Sequence, residues 1–161
     1  MPDAFYKNLH EKMDNERARR ILSISDRAVT GYVFRSFPVF LLWLLSTGND
    51  AFLKTALTTA VSFVILSLCR RVINRRRPYE KYGFTPVLEK DSSGKSFPSR
   101  HVFSAFLIGT ASLPVMPVYA CSVFICAFLI MIIRVAGSVH FVSDVIAGAV
   151  IGILSGLIVY L

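Results

Sequence analysis

Three short segments concentrate the ionisable residues of an otherwise apolar chain. Residues 70–77 contain five arginines, and the tripeptide Ser99-Arg100-His101 follows after a polar loop. The third segment holds an arginine, a histidine and an aspartate: Arg134, His140 and Asp144. Guanidinium groups suit a phosphate, because their planar fork donates paired hydrogen bonds to its oxygens. Together the segments predict an anion site that also carries candidate acids, bases and nucleophiles.

Two histidines and one carboxylate give this predicted site its chemistry. One imidazole could attack phosphorus while the other protonates the departing oxygen. Asp144 follows His140 by four residues, so on a helix it lies one turn along the same face. There it could accept a hydrogen bond from one ring nitrogen and leave the other facing outward. No metal-ligand set is apparent, because no second carboxylate is nearby and the adjacent arginines disfavour a cation.

Long apolar blocks separate the ionisable segments. Hydrophobic residues make up 54% of the 161-residue chain and charged residues 17%, an apolar excess beyond what a soluble core needs. Five blocks are nearly free of charge: Phe37–Leu45, Ala56–Leu68, Val102–Val115, Val118–Ile133 and Val145–Leu161. With their flanks, most reach the roughly 20 residues that cross a bilayer. The pattern predicts a single all-α domain over residues 1–161, an integral membrane bundle of about five transmembrane helices.

The predicted spans place the three ionisable segments together. We expect spans over about 28–46, 51–69, 101–114, 118–134 and 140–161, with a site loop over residues 70–100 between the second and third. Because successive spans alternate in direction, the loop and the neighbouring ends of the last three spans lie on one face. Each segment alone has a plainer explanation, such as a headgroup anchor, but their convergence favours a reactive site.

The first 25 residues are charged and show no cleavable signal peptide. Apolar side chains recur there at multiples of four: Phe5, Leu9, Met13 and Ile21. This spacing predicts an amphipathic helix, either at the membrane interface or as a solvated tail. Ser25 or Asp26 would then cap the first span.

The net charge of +8 is carried beside the spans and not on a separate polar domain. Anionic headgroups or phosphate esters are therefore expected partners, and nucleic acid is not. Cys69, Cys121 and Cys126 lie in apolar stretches and form no CxxC pair. They are predicted to be buried packing thiols and not a disulfide framework or a zinc site.

The spacing of these residues resembles the type 2 phosphatidic acid phosphatase family, the membrane branch of the superfamily that includes vanadium haloperoxidases. Its three motifs are lysine, six residues, Arg-Pro; then Pro-Ser-Gly-His; then Ser-Arg, five residues, His, three residues, Asp. This chain has Arg70, six residues, Arg77-Pro78; Pro98-Ser99-Arg100-His101; and Ile133-Arg134, five residues, His140, three residues, Asp144. Order and spacing match from Arg70 to Asp144.

The resemblance implies a metal-independent phosphatase without a cofactor that hydrolyses a lipid phosphate or diphosphate. By this resemblance His140 forms a phosphohistidine, Asp144 holds it, and His101 protonates the leaving group and then activates water. The phosphoryl oxygens would be held by Arg70, Arg77, Ser99 and Arg134. Two other functions stay open: a phosphatase for a soluble phosphate ester, and a non-catalytic membrane protein that binds anionic lipid.

Three positions depart from the family motifs. Arg70 replaces the lysine, which keeps the charge but changes its reach. Ile133 replaces a serine before Arg134. Arg100 replaces the glycine, and it would be strained there if the position required a positive φ. Otherwise its side chain would add a cation near the substrate headgroup.

Three glycines in the last span continue the four-residue spacing of His140 and Asp144: Gly148, Gly152 and Gly156. Small residues at this spacing let membrane helices approach closely. The pattern predicts that this span packs tightly against a neighbour, which would hold Asp144 rigidly. The alternative is that they are ordinary membrane-helix glycines.

The family resemblance and the positive-inside rule predict opposite sides of the membrane for the site. The family resemblance implies the outer face of the cell membrane. The positive-inside rule favours the cytoplasm, because 17 of the 18 Lys and Arg residues lie on the site's side of this topology and only Lys54 lies opposite. We adopt the outer face as the expectation.

Overall fold

The chain folds as a bundle of helices in a computed structural model that describes residues 2–88 and 93–161. In chain order the helices are α1 (Pro2–Met13), α2 (Glu16–Ser46), α3 (Ala51–Ile73), α4 (Pro78–Tyr82), α5 (Arg100–Ser112), α6 (Pro117–Ala136) and α7 (Val142–Leu157), followed by a 3₁₀ turn over Ile158–Tyr160. No strand occurs in these two described ranges. The predicted all-α membrane bundle is confirmed.

Four segments of the described chain are long and apolar enough to cross a membrane. They are Glu16–Ser46, Ala51–Tyr82, Pro117–Ala136 and Val142–Tyr160. Large apolar side chains remain exposed along their outer faces, such as Val61, Ile132 and Leu154. Such surfaces are costly in water and suited to lipid tails.

The predicted third span forms a shorter helix, α5, in the centre of the bundle. At 13 residues it is about 20 Å long, too short for a hydrocarbon core of about 30 Å. Every residue from Val102 to Ser112 is buried, and α5 contacts α2, α3, α6 and α7. Protein and not lipid therefore surrounds α5, so the five predicted spans are four long helices around a short central one.

The N-terminal prediction needs correction. α2 begins at Glu16, with the Asn15 side chain accepting a hydrogen bond from Ala18 N at 2.9 Å. The expected cap at Ser25 or Asp26 is therefore wrong, since both residues lie inside this helix. An Asn at the N-cap satisfies one of the free N–H groups of the first turn, and the helix then continues through Pro38 to Ser46.

Helix α1 packs against the bundle and does not extend away from it. Its apolar residues Phe5 and Leu9 face Met131 and Val135 of α6 across a groove. On the same helix His10 is buried and stacks on Phe84, with ring centroids 4.3 Å apart.

The prediction for the cysteines is wrong in part, because Cys69 and Cys121 are exposed on the outside of the bundle.

The glycines of α7 mark the closest helix contact of the fold. A Cβ added at Gly148 would lie 2.6 Å from Ser99 O, and one added at Gly152 would lie 2.5 Å from Phe103 O. Real Cβ atoms do not approach carbonyl oxygens so closely, and the backbones of α5 and α7 touch only because these side chains are missing. The predicted tight packing of the last span is confirmed, and its partner is α5.

Replacing Gly152 by leucine should force α7 away from α5. We expect the free energy of unfolding to fall by about 1–3 kcal/mol, the usual cost of overpacking. Val150→Leu is the matched control, since Val150 is half exposed on the outside of the same helix. Denaturation of both variants in one detergent measures the difference. Equal stability would contradict a close-packed α5–α7 contact.

Candidate active site

One end of the bundle contains a polar cavity of about 240 Å³. It is lined by four arginines, a lysine, a serine and two histidines: Ser67, Arg70, Arg71, Arg77, Lys95, Arg100, His101 and His140. These residues come from α3, from the segment between α3 and α5, from α5, and from the turn between α6 and α7. The structure thus brings the three ionisable segments of the sequence to one place.

Arg70 and Arg77 are buried and hold the wall of this cavity together. Arg70 lies in the last turn of α3 and donates to the carbonyls of Lys95, Ser96 and Pro98. Arg77 donates through Nε to Gly94 O at 3.0 Å and through Nη1 to Val139 O at 2.9 Å. A guanidinium has five N–H donors, so each arginine fixes the loop and still has donors left for a ligand.

His140 lies in the turn before α7 with its Nδ1 edge toward Asp144. Nδ1 is 3.5 Å from Asp144 Oδ2 and 3.4 Å from Ser96 Oγ. Ser96 Oγ also donates to Asp144 Oδ2, which accepts a second hydrogen bond from Phe141 N at 3.0 Å. Asp144 therefore holds His140 together with Ser96, and Nε2 is the ring nitrogen on the side of the cavity.

The protonation state of His140 is set by its burial. Only 2% of the residue is exposed. Burial, together with the positive charges of Arg77 and Arg134, lowers the pKa of His140 to about 4, although Asp144 acts in the opposite direction. At neutral pH the imidazole is unprotonated and its Nε2 lone pair is available.

Ser99 and His101 flank the start of α5. Ser99 is the N-cap of α5, and its amide donates to Asp144 O at 2.9 Å. Its hydroxyl is buried and has no hydrogen-bond partner among the described residues, which is uncommon for a buried polar atom. His101 lines the cavity, and its ring meets the Phe34 ring edge-on at 5.9 Å.

Arg100 adopts a helical conformation as the first residue of α5. Within the described chain, the non-glycine residues with positive φ are Asn74, Lys95 and Ser138. The strain expected for an arginine in place of glycine is therefore absent. Its guanidinium lies 5.5 Å from the centroid of the Phe63 ring, at the mouth of the cavity.

Arg134 lies behind His140 and does not line the cavity. Its Nη2 pairs with Asp26 Oδ1 of α2 at 3.0 Å, and its backbone carbonyl accepts from Val139 N and His140 N. Its buried Nε has no hydrogen-bond partner in the part of the chain that the structure describes. Arg134 therefore supports the turn that carries His140 and keeps one donor unused.

Four further residues support the site although the sequence predicts no individual site role for them. Asp26 pairs with Arg134, Glu80 accepts from Arg77 N and Gly94 N, Ser96 bonds to Asp144, and Arg75 donates to Asp144 Oδ1 at 2.7 Å. Ser96 lies two residues before the second motif and Arg75 lies inside the first, so their positions offered a signal. Asp26 lies more than a hundred residues from its partner and offered none.

Comparison with known proteins agrees with the motifs. The family model of the PAP2 superfamily matches residues 51–161. Lipid A 1-phosphatase of Rhizobium etli is 32% identical over 100 residues, which are 59% of this chain and 43% of that protein. The chain therefore spans less than half the length of this curated relative.

Two crystal structures have the same arrangement of helices. LpxE of Aquifex aeolicus superposes with a TM-score of 0.71 at 25% identity, over 98% of this chain and 93% of that one. A PAP2 type phosphatidylglycerolphosphate phosphatase of Bacillus subtilis gives a TM-score of 0.59 at 23% identity, over 98% and 91%. The latter, at this identity, shows the fold alone. The family predicted from the three motifs is confirmed, and the chain belongs to the PAP2 superfamily.

Proposed function

We propose that this chain is a metal-independent phosphatase that hydrolyses a lipid phosphate or lipid diphosphate through a phosphohistidine at His140. The observation that carries the proposal is a buried imidazole, held at Nδ1 by Asp144 and Ser96, that faces a cavity lined by guanidinium groups. Arginines around a phosphoryl group stabilise the charge that develops in the transition state. Binding alone would need the cations but not an oriented imidazole.

The proposed reaction has two steps. His140 Nε2 attacks phosphorus and the bond to the leaving oxygen breaks, while His101 gives that oxygen a proton. Water then attacks phosphorus, His101 takes a proton from it, and the bond to Nε2 breaks with release of phosphate. Asp144 and Ser96 hold Nδ1 throughout, which keeps the ring aligned for both steps.

The oxygens of the phosphoryl group are assigned to donors that have no partner among the described residues. Within that part of the chain, Arg70 and Arg77 keep N–H groups unused after binding the loop carbonyls. Ser99 Oγ and Arg134 Nε are buried polar atoms without a partner among the described residues. Neither residue lines the cavity, so we assign these two donors to the phosphoryl oxygens on the motifs and not on their position. We assign Arg100 to the headgroup, because its guanidinium lies at the cavity mouth.

A lipid is favoured over a soluble ester by the size and position of the cavity. Its volume of about 240 Å³ is below the roughly 300–1,000 Å³ of pockets that enclose a small ligand, so it holds a phosphate and leaves the rest outside. The flanking outer surfaces of α2 and α3 are apolar. The name of the Rhizobium relative also specifies a phosphate carried on a lipid.

Phosphate release from a substrate panel tests the reaction. The detergent-solubilised chain should hydrolyse at least one of phosphatidic acid, phosphatidylglycerol phosphate and a prenyl diphosphate, with little loss in EDTA. His140→Ala should abolish turnover and any acid-labile phosphoenzyme. Turnover of glucose 6-phosphate alone would favour the soluble-ester alternative. Lipid binding without turnover would favour the non-catalytic one, and activity restored to a chelated sample by Mg²⁺ would refute the metal-independent mechanism.

The role of His101 is tested by the leaving group. His101→Ala removes the proton donor, so hydrolysis of a lipid phosphate, whose alkoxide leaves poorly, should fall by about 10²–10⁴-fold. An activated aryl phosphate needs no proton and should lose much less. The ratio of the two rates is the measurement. Equal losses for both substrates would show that His101 does not act as the acid.

We further propose that the site faces outward from the cell membrane. In a cysteine-free background, Ser93→Cys on the exposed site loop should react with a membrane-impermeant maleimide in intact cells. Thr47→Cys, at the turn between α2 and α3 on the opposite end of the bundle, is the control. It should react only after the membrane is broken. The reverse pattern would place the site in the cytoplasm.

A further inference from the structure

Arg75 is the guanidinium that contacts the buried carboxylate of Asp144. Its Nη1 donates to Asp144 Oδ1 at 2.7 Å and to Ser143 Oγ at 2.8 Å. The guanidinium also lies over the Phe141 ring, 4.4 Å from its centroid. Two hydrogen bonds and a cation–π contact fix the side chain although it is 39% exposed.

The backbone of Arg75 holds the second partner of Asp144. Ser96 N donates to Arg75 O at 2.9 Å, and Ser96 Oγ donates to Asp144 Oδ2. One residue therefore controls both oxygens of the carboxylate, Oδ1 directly and Oδ2 through Ser96. Because the two oxygens are rigidly linked, fixing Oδ1 also fixes the direction in which Oδ2 faces His140.

The charge of Arg75 has a separate effect on the same pair. Asp144 is fully buried, and a buried carboxylate without a cationic partner interacts strongly with any proton nearby. When Arg75 contacts Asp144, part of the negative charge of the carboxylate is balanced. The carboxylate then stabilises the protonated form of His140 less, so the lone pair of His140 stays available.

We propose that Arg75 is a positioning residue of the active site, which orients Asp144 toward His140 and balances its charge. Arg75 does not line the cavity, so it acts through Asp144 and not on the substrate. This role rests on the proposed phosphatase function for its effect on rate, but its effect on His140 does not depend on turnover.

Other charged groups also act on His140, and the experiment must leave them unchanged. Those that face it or share its cavity are Asp144 of α7, Arg134 of α6 with its partner Asp26 of α2, Arg70 and Arg71 of α3, Arg77 and Lys95 of the site loop, and Arg100 and His101 of α5. Arg75→Gln alters none of these side chains. Arg76→Gln is the matched control, since it removes the same charge from the exposed neighbouring residue.

We expect Arg75→Gln to lower kcat on dioctanoyl phosphatidic acid by about ten- to a hundredfold, as for other groups that orient a reactive residue. In the pH profile of kcat/KM, the acid limb should move to higher pH by about 0.5–1 unit, because losing the charge of Arg75 favours the protonated form of His140. Arg75→Lys keeps the charge but not the fork, so it should restore the acid limb and only part of kcat. Arg76→Gln should change neither quantity.

An NMR titration of the histidine rings in detergent gives a second measurement without substrate. The His140 signal, assigned by its loss in His140→Gln, should titrate at higher pH in Arg75→Gln than in the wild type or Arg76→Gln. If Arg75→Gln leaves this titration unchanged, or shifts it no more than Arg76→Gln does, the proposal fails. It also fails if only KM rises, which would make Arg75 a substrate contact. A wild type that hydrolyses no phosphate ester would refute the proposed function, while the NMR comparison would still decide the role of Arg75.

Discussion

The carboxylate of Asp144 is the point to which the rest of the site is attached. A fully buried carboxylate is tolerated only if its oxygens are satisfied, and here the donors come from the Arg75 side chain, Ser96 and the backbone of Phe141. The backbone carbonyl of Asp144 accepts a hydrogen bond from Ser99 N. The first turn of α7 thereby connects the site loop, the start of α5 and the turn that carries His140. Removing the carboxylate would release the site loop and the turn that carries His140, while the backbone hydrogen bond to Ser99 would remain.

This attachment depends on how closely α5 and α7 approach each other. The hydrogen bond between Ser99 and Asp144 joins two backbones, and it can form only because Gly148 has no side chain to hold them apart. The packing of α5 against α7 and the geometry of the active site are therefore coupled. The glycines one and two turns further along α7 extend the same contact toward the opposite face.

Much of this arrangement follows from local spacing in the sequence. The four-residue spacing of His140, Asp144 and the glycines predicts that they share one face of a helix. The alternation of apolar and polar blocks predicts the long helices. These predictions hold in the structure. The predictions that failed depended on contacts between distant segments. Nothing local to Asp26 indicates that it pairs with Arg134, and its place before the first apolar block favours a helix cap. The composition of α5 predicts a full span, because it does not reveal that protein encloses this short helix. Arg75 could be counted among the clustered arginines, but only the fold distinguishes it from exposed Arg76.

The crowding of cations in the cavity has a consequence for turnover. Arg70, Arg71, Arg77, Lys95 and Arg100 repel one another in a small volume, and a bound dianion relieves that repulsion. Inorganic phosphate relieves it as effectively as the substrate headgroup, and it has no hydrocarbon chain to draw it back into the bilayer. If the chain is the phosphatase proposed above, the same electrostatics that bind the substrate also bind the product. Free phosphate in the water outside the cavity would then inhibit turnover.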